Sequence, residues 1–343
     1  MGPSEEITRY KRVFDVGAAS GILAERGDED DFALSDYFSL ILWRGENTVA
    51  LSSENEPYPY LYERVKSLPE SCLVPNADTP LSNFEVFVSA FESYYPFFDL
   101  YDVDWSSQVA EARQTITPDT TDLELFQILK GLVAGVKDAH IEIIATIEGE
   151  REIFDANAGK TETALFRAAI SQGDNPMRAR SEYRKKYWAD DLRDTLHGGE
   201  SVIAGDGVIQ YGVVSDDIGM ISFLTMGGYL ENEDQTELGV LNEVLDAALA
   251  EFEAREVKAV IVNLAINYGG YDVISRAIAA RFMAEPTLAY SKLSANAPDA
   301  EPYVYTLQPS DSVRFTGPVY LLTSDVTVSA GEIATMALRA LPN

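Results

Sequence analysis

The second half of the chain alternates short apolar runs with longer amphipathic stretches. Strand-like runs occupy residues 208–214, 218–224, 259–264 and 319–323. Helix-like stretches cover about 237–255, 273–283 and 329–341. Strands that alternate with helices predict an α/β fold whose sheet is parallel in part.

The first half follows two other patterns. Residues 1–78 contain short strand-like runs separated by prolines and turns, which predicts a small β-rich appendage. Residues 82–140 contain three short amphipathic helices: the first shows helical apolar spacing, the second begins at the Asp104 cap, and the third begins with a capping box from Thr121 to Glu124. We therefore predict a helical subdomain at 82–140, followed by an α/β core at 141–343.

Charge and cysteine content exclude several classes of protein. The chain carries 26 basic and 56 acidic residues, a formal net charge of −30. Such a field repels a phosphate backbone, so we expect no nucleic-acid partner. With Cys72 as the single cysteine, neither an intramolecular disulfide nor a zinc ribbon can form.

Other binding classes also lack a sequence signal. No apolar run approaches the roughly 20 residues of a membrane span, and the acidic N-terminus lacks the apolar segment of a signal peptide. Two isolated histidines and scattered carboxylates show no metal-ligand spacing. The chain also lacks a glycine-rich phosphate loop, so we expect neither a metal nor another cofactor.

The segment from Gly317 to Glu332 places a serine where a buried strand passes into a helix. At such a helix entrance, unpaired backbone N–H groups and the positive end of the helix dipole favour developing negative charge, which suits a nucleophile at Ser329. The spacing from Ser329 to Glu332 is also that of a capping box, so an ordinary N-cap explains the same residues. The segment alone leaves both interpretations open.

Two further segments supply partners for such a serine. Gly269 and Gly270 follow the strand at 259–264, and their N–H groups could form an oxyanion hole with that of Ala330; a plain strand-to-helix turn is the alternative. The chain has two histidines. His140 stands between an apolar helix and a strand, where side chains often reach a cleft. His197 ends a charged helix that we predict from Arg178 to His197, and it is expected to be exposed.

Taken in order, these segments resemble the motifs of peptidase family S41, the tail-specific or C-terminal-processing proteases. The chain has the sequences Val-Lys-Asp-Ala-His at 136–140, Asn-Leu-Ala-Ile-Asn-Tyr-Gly-Gly at 263–270 and Thr-Val-Ser-Ala-Gly-Glu at 327–332. Aromatic residues at 94–98 resemble the helical subdomain of the tricorn-core-like branch. The resemblance implies a mixed-sheet catalytic core similar to ClpP and crotonase.

The resemblance also implies roles for individual residues. Ser329 would attack the scissile carbonyl and His140 would act as its base, within about 3–4 Å of the hydroxyl. The N–H groups of Gly270 or Gly269 and of Ala330 would bind the oxyanion. No lysine follows Ser329 in the given sequence, so we expect the histidine version of the site rather than the serine–lysine version. The implied substrates are peptides or unfolded proteins, and relatives with a β-rich appendage are often periplasmic or secreted.

Three departures from the family pattern motivate an alternative. Asn263 and Ala265 replace the motif aspartate and arginine, and Ala139 replaces a glycine. The glutamate that orients the histidine in the tricorn-like branch lies further downstream than residue 343, so we expect the core to be cut short and histidine orientation to depend on other groups. The alternative function is a catalytically inactive S41-like protein that binds peptides, and a structural domain with Ser329 as a mere cap is a third interpretation.

Overall fold

The computed structural model describes five short N-terminal strands within residues 10–63 and then residues 77–156, 159–196, 199–232, 234–293 and 301–343. The chain divides into two compact units. The first comprises Met1–Asn157 and Leu293–Glu301, and the second comprises Ala158–Lys292 and Pro302–Asn343. The domain bounds predicted from the sequence stay a prediction.

The first unit begins with short antiparallel strands. Their bounds are β1 Tyr10–Val13, β2 Ile22–Glu25, β3 Leu40–Trp43, β4 Thr48–Ser52 and β5 Tyr60–Glu63. Strand β1 pairs with β2, and β3, β4 and β5 form a three-stranded sheet in that order.

Three helices and a hairpin follow in the same unit. Their bounds are α1 Pro80–Tyr94, α2 Trp105–Thr115, α3 Asp122–Val133, β6 Glu142–Ile147 and β7 Glu150–Asp155. The predicted caps are present, because Asp104 accepts from Ser107 N–H at 3.1 Å and Thr121 forms a capping box with Glu124. Phe84 and Val133 are fully buried in the apolar cluster that these elements share.

The second unit contains the remaining helices and strands. The helices are α4 Lys160–Ser171, α5 Pro176–Lys186, α6 Leu192–Thr195, α7 Glu237–Ala254, α8 Asp272–Ala280 and α9 Ala330–Arg339. The strands are β8 Val202–Ala204, β9 Ile209–Ser215, β10 Ile218–Phe223, β11 Ala259–Asn263, β12 Thr287–Lys292, β13 Tyr303–Leu307 and β14 Val319–Leu322.

Five of these strands form one mixed sheet in the order β14-β11-β10-β9-β8. Strand β11 is parallel to both β14 and β10, whereas β9 is antiparallel to β10 and β8. Side chains of helices α7, α8 and α9 join the sheet in one apolar cluster, in which Leu245, Val262 and Ala334 are fully buried. The predicted α/β class with a partly parallel sheet is confirmed.

The charged region before the sheet is helical without interruption over residues 176–195, but it contains a π-helical segment. We expected one helix from Arg178 to His197. Helix α5 ends at Lys186, and a π-helical segment, Tyr187–Asp191, and the short α6 follow it. His197 lies outside the described residues. No helix in the described part of the chain is long and apolar enough to span a bilayer.

Candidate active site

The chain passes from β11 and from β14 into two loops at the same edge of the sheet, because parallel neighbours have their carboxyl ends on one side. The glycine loop comprises residues 264–270 and the serine loop residues 323–329. Val328 N–H donates to the carbonyl of Asn267 at 3.1 Å, and Thr327 Oγ1 donates to the carbonyl of Leu264 at 2.7 Å. The two loops are therefore bonded to each other ahead of helix α9.

Ser329 has an unusual backbone conformation at the entrance of α9. Its φ is 57° and its ψ is −124°, a combination that costs a non-glycine residue about 1–3 kcal/mol. An ordinary N-cap residue has an extended backbone instead. A strained serine between a strand and a helix is the geometry in which a nucleophile is exposed at a sharp turn.

The capping interactions at this helix depend mainly on Glu332. Its carboxylate accepts from the backbone N–H of Ser329 at 2.9 Å, as a capping box requires. The N–H of Glu332 in turn donates to the carbonyl oxygen of Ser329 at 2.9 Å, and it also faces the serine side chain as the second half of the capping box. The capping box predicted from the sequence is therefore present, and the backbone conformation of Ser329 is what departs from a simple N-cap.

Glycine is required at both positions of the turn that faces Ser329. Gly269 has φ 76°, and a Cβ there would lie 2.5 Å from the Cβ of Ser329. Gly270 has φ 140°, and a Cβ there would lie 2.3 Å from the carbonyl oxygen of Met226. Gly269 therefore lets the turn approach Ser329, and Gly270 lets it approach Met226, more closely than a residue with a Cβ could.

Only one of the two glycine amides can donate to a ligand. The N–H of Gly269 donates to Asn267 Oδ1 at 2.9 Å, so it is already occupied. Met226 N–H donates to the carbonyl of Gly269, and Tyr271 N–H donates to the carbonyl of Met226, which leaves the amide of Gly270 directed away from Met226. Among the described residues it has no backbone acceptor.

The second predicted donor is the N–H of Ala330. Ala330 is the first residue of α9, and the first N–H groups of a helix have no intrahelical acceptor. Together with the amide of Gly270, it could hold an oxyanion beside Ser329. The sequence interpretation treated Gly269 and Gly270 as equivalent donors, and the hydrogen bond from Gly269 to Asn267 selects Gly270.

Asn267 is a supporting residue to which we assigned no role from its sequence. It is fully buried, and its Nδ2 donates to the carbonyl of Phe223 at 2.9 Å while its Oδ1 holds the Gly269 amide. A buried amide with both ends bonded fixes the turn relative to the end of β10. The signal available in the sequence was a polar residue within an otherwise apolar strand end.

A cavity of about 610 Å³ opens beside the serine. Its lining residues are Asp272, Lys292, Thr323, Ser324, Thr327, Ser329, Glu332, Ile333, Thr335 and Met336. Two of the charged lining residues, Lys292 and Asp272, are paired with each other. The third, Glu332, follows Ser329 by three residues and caps the same helix. The volume is in the range of pockets that bind small ligands or peptide side chains.

The serine loop is also attached to helix α4. The carboxylate of Asp325 accepts from the backbone N–H of Thr161 at 2.7 Å and from its hydroxyl at 2.8 Å. The hydrogen bond from the Thr161 amide holds the pKa of Asp325 below its usual range. An ionised carboxylate at a helix N-terminus is favourable for the helix dipole as well.

The two departures at the end of β11 produce a neutral arrangement. The Asn263 side chain donates to Ser222 Oγ at 3.2 Å and accepts from the N–H of Ala265 at 3.1 Å. A positive charge comes from elsewhere, because the Arg184 guanidinium lies 3.0 Å from the ring centroid of Tyr268, next to the glycines. The aspartate and arginine side chains that the family motif implies beside the glycine turn are therefore replaced here by the neutral residues Asn263 and Ala265.

His140 lies in the first unit, between α3 and β6. Its side chain is 60% exposed, and its Nδ1 lies 3.1 Å from Asp138 Oδ1. Ser329, Ala330 and the two glycines lie in the second unit. The pairing of His140 with Ser329 accordingly stays a prediction.

Comparison with known proteins finds a family match in the C-terminal part of the chain. Residues 217–343 match the model of Peptidase family S41. The predicted resemblance is thereby confirmed for the part of the chain that contains the glycine loop and Ser329. His140 precedes the matched residues.

Several solved structures are similar to the chain. One from Parabacteroides merdae ATCC 43184, named a "putative peptidase", is 25% identical with a TM-score of 0.57, and the similarity covers 78% of this chain and 74% of that one. More distant similarity is found to the photosystem II D1 C-terminal processing protease (10% identity, TM-score 0.38, 76% of this chain and 78% of that one) and to mature CPAF complexed with lactacystin (10% identity, TM-score 0.49, 76% and 82%). No curated protein matches the chain at a significant level.

Proposed function

We propose that the protein is a serine peptidase in which Ser329 is the nucleophile and His140 the general base. The observation that carries the proposal is the strained backbone of Ser329 at the entrance of α9. The close approach of the Gly269–Gly270 turn to this serine is the second support. The match of residues 217–343 to Peptidase family S41 supports a peptidase function independently.

The proposed reaction proceeds in two steps. His140 removes the proton from the Ser329 hydroxyl as Oγ bonds to the scissile carbonyl carbon, and the carbonyl oxygen becomes an oxyanion that accepts from the N–H groups of Gly270 and Ala330. The imidazolium then protonates the leaving amine as the C–N bond breaks. Water, activated by the same histidine, releases the acyl group and regenerates the serine.

Peptides or unfolded proteins are the proposed substrates. The cavity beside Ser329 has room for a side chain. A second cavity of about 440 Å³ adjoins His140 within the first unit, and its lining includes the aromatic side chains of Phe91, Tyr94 and Phe97. Such walls suit apolar peptide side chains. A periplasmic or secreted location is part of the same proposal, from the resemblance alone.

Covalent labelling with a fluorophosphonate tests the nucleophile. We expect the wild-type chain to be labelled at Ser329 and the Ser329→Ala variant to remain unlabelled. Ser312→Ala is the matched control, because Ser312 is exposed in the same unit and lines neither cavity. Equal labelling of wild type and Ser329→Ala would exclude Ser329 as the nucleophile.

The alternative is a peptide-binding protein without catalytic activity. The neutral residues Asn263 and Ala265 favour it, because the charges of the family motif are absent there. The two functions differ in turnover. Peptide binding that persists in Ser329→Ala and His140→Ala, without cleavage by any variant or by the wild type, would support the binding protein and contradict the peptidase.

A further inference from the structure

The imidazole of His140 has a carboxylate partner two residues earlier in the chain. Asp138 Oδ1 accepts from the backbone N–H of His140 at 2.9 Å and lies 3.1 Å from its Nδ1. The Asp138 side chain is 14% exposed, whereas the imidazole is 60% exposed. The carboxylate is therefore sheltered while the ring that it contacts remains accessible.

The other oxygen of this carboxylate has a partner of its own. Tyr95 Oη donates to Asp138 Oδ2 at 3.1 Å. Burial and, secondarily, the charge of Asp138 raise the pKa of the Tyr95 hydroxyl, which keeps it protonated and able to donate. The ring of Tyr95 packs against Phe98 with a centroid distance of 4.9 Å and against Phe91 at 5.8 Å.

These contacts define which ring nitrogen of His140 carries the proton. An ionised carboxylate only accepts hydrogen bonds, so Nδ1 must be the donor toward Asp138. In a neutral imidazole, Nε2 then carries the lone pair and can act as a base. The same logic orients the histidine of a catalytic triad, where the buried carboxylate selects the tautomer.

We propose that Asp138 is the positioning residue of the catalytic base, holding His140 with its proton on Nδ1 and its lone pair on Nε2, and that Tyr95 fixes the carboxylate in place. This inference rests on the proposed function, in which His140 is the base. The resemblance assigns histidine orientation to a downstream glutamate. Asp138 performs that orientation from a position two residues before the base.

A purely structural role accounts for only part of this arrangement. An aspartate that accepts from the backbone N–H two residues later forms a local turn, and Oδ1 alone is sufficient for that turn. The contact with the ring nitrogen and the hydrogen bond from Tyr95 to Oδ2 are additional. His140 and Asp138 both line the cavity of about 440 Å³, so the ring lies where a ligand can reach it.

The tautomer of His140 is measurable by nitrogen-15 NMR of the full chain. Because the chain has two histidines, a His197→Gln background leaves the signals of one ring. Under alkaline conditions, where imidazoles are neutral, we expect the tautomer protonated on Nδ1 to dominate. Asp138→Ala should shift the population toward Nε2 protonation, Tyr95→Phe should shift it less, and Asp119→Ala, an exposed aspartate of the same unit, should not shift it.

Kinetic measurements separate positioning from the local turn. In Asp138→Ser the hydroxyl can still accept from the backbone N–H of His140, but the ionised partner of the ring is lost. We expect kcat to fall about 100-fold or more in Asp138→Ala and in Asp138→Ser, with KM changed less than about threefold. Tyr95→Phe should lower kcat about 3- to 10-fold, as expected for one hydrogen bond.

The outcomes distinguish this inference from the function on which it rests. An unchanged tautomer in Asp138→Ala, or full activity of Asp138→Ser in a folded protein, would overturn the positioning role while leaving the peptidase intact. If Asp138→Ala shifts the tautomer but the wild-type protein cleaves no peptide, the result would contradict the peptidase and support the orientation of the ring by Asp138. Circular dichroism confirms that each variant is folded.

Discussion

The two predicted halves of the catalytic machinery are held by different kinds of interaction. Ser329 is fixed by main-chain geometry: a strained backbone, a glycine turn at close contact and hydrogen bonds between two loops. His140 is an exposed ring held by one carboxylate, which is itself held by one tyrosine. Changes in the two loops beside Ser329 should therefore affect folding, whereas changes of Asp138 and His140 themselves should affect chemistry with less cost to the fold.

The largest effect is expected from Gly270→Ala. Its Cβ would lie 2.3 Å from the Met226 carbonyl oxygen, and we expect the free energy of unfolding to fall by about 3–5 kcal/mol. Gly173→Ala is the control, because Gly173 has φ 74° with nothing near its Cβ and should cost only about 1–2 kcal/mol. Urea denaturation measures both, and equal losses would show that close approach is unimportant.

A comparable loss on the histidine side should come from the aromatic cluster beneath Tyr95. Trp105 is 5% exposed and stacks on Phe98 at a centroid distance of 4.6 Å, so Trp105→Ala should destabilise the first unit by about 3 kcal/mol. Trp105 Nε1 has no hydrogen-bond partner among the described residues. Trp105→Phe should accordingly cost less than about 1.5 kcal/mol; similar losses in both variants would contradict this packing.

Substitution of the serine itself tests the strain by the sign of its effect. Glycine tolerates the backbone angles of Ser329, so Ser329→Gly should raise the free energy of unfolding by about 1 kcal/mol while removing the nucleophile. An ordinary N-cap predicts the opposite sign, a loss of a few tenths of a kcal/mol. Thermal denaturation of wild type and variant decides between the two interpretations.

The smallest effect is expected at Asp325, which is exposed. Because its folded pKa is lowered by the Thr161 amide, its stabilisation is present above the ordinary carboxyl pKa of about 3.9 and is lost as the pH falls through the lower folded value. Asp325→Asn should cost less than about 1 kcal/mol at neutral pH. This difference from wild type should shrink below about pH 4; a difference independent of pH in urea titrations would rule out the charge effect.

The sequence predicted the elements near the serine well, because each depends on local patterns. The strand at 319–323, the helix after Ser329 and the two capping boxes follow from periodicity and from side chains within one turn. The glycine pair also pointed to a close main-chain approach, which the structure contains.

What the sequence could not provide were contacts between distant residues. Nothing local shows that Asn267 occupies the Gly269 amide, or that the hydroxyl of Tyr95 reaches Asp138 across 43 positions. The strand pair of β12 and β13 was missed for a related reason, since pairing overrides weak local preferences there.

The central claim is that Ser329 is activated by His140, and the rate of fluorophosphonate labelling at Ser329 tests it most directly. Mass spectrometry of the labelled peptide gives the site, and the time course gives the rate constant. The account predicts that His140→Gln reacts about 100-fold more slowly than wild type, while His197→Gln reacts at the wild-type rate. Labelling of His140→Gln at the wild-type rate, or attachment of the probe to another residue, would contradict it.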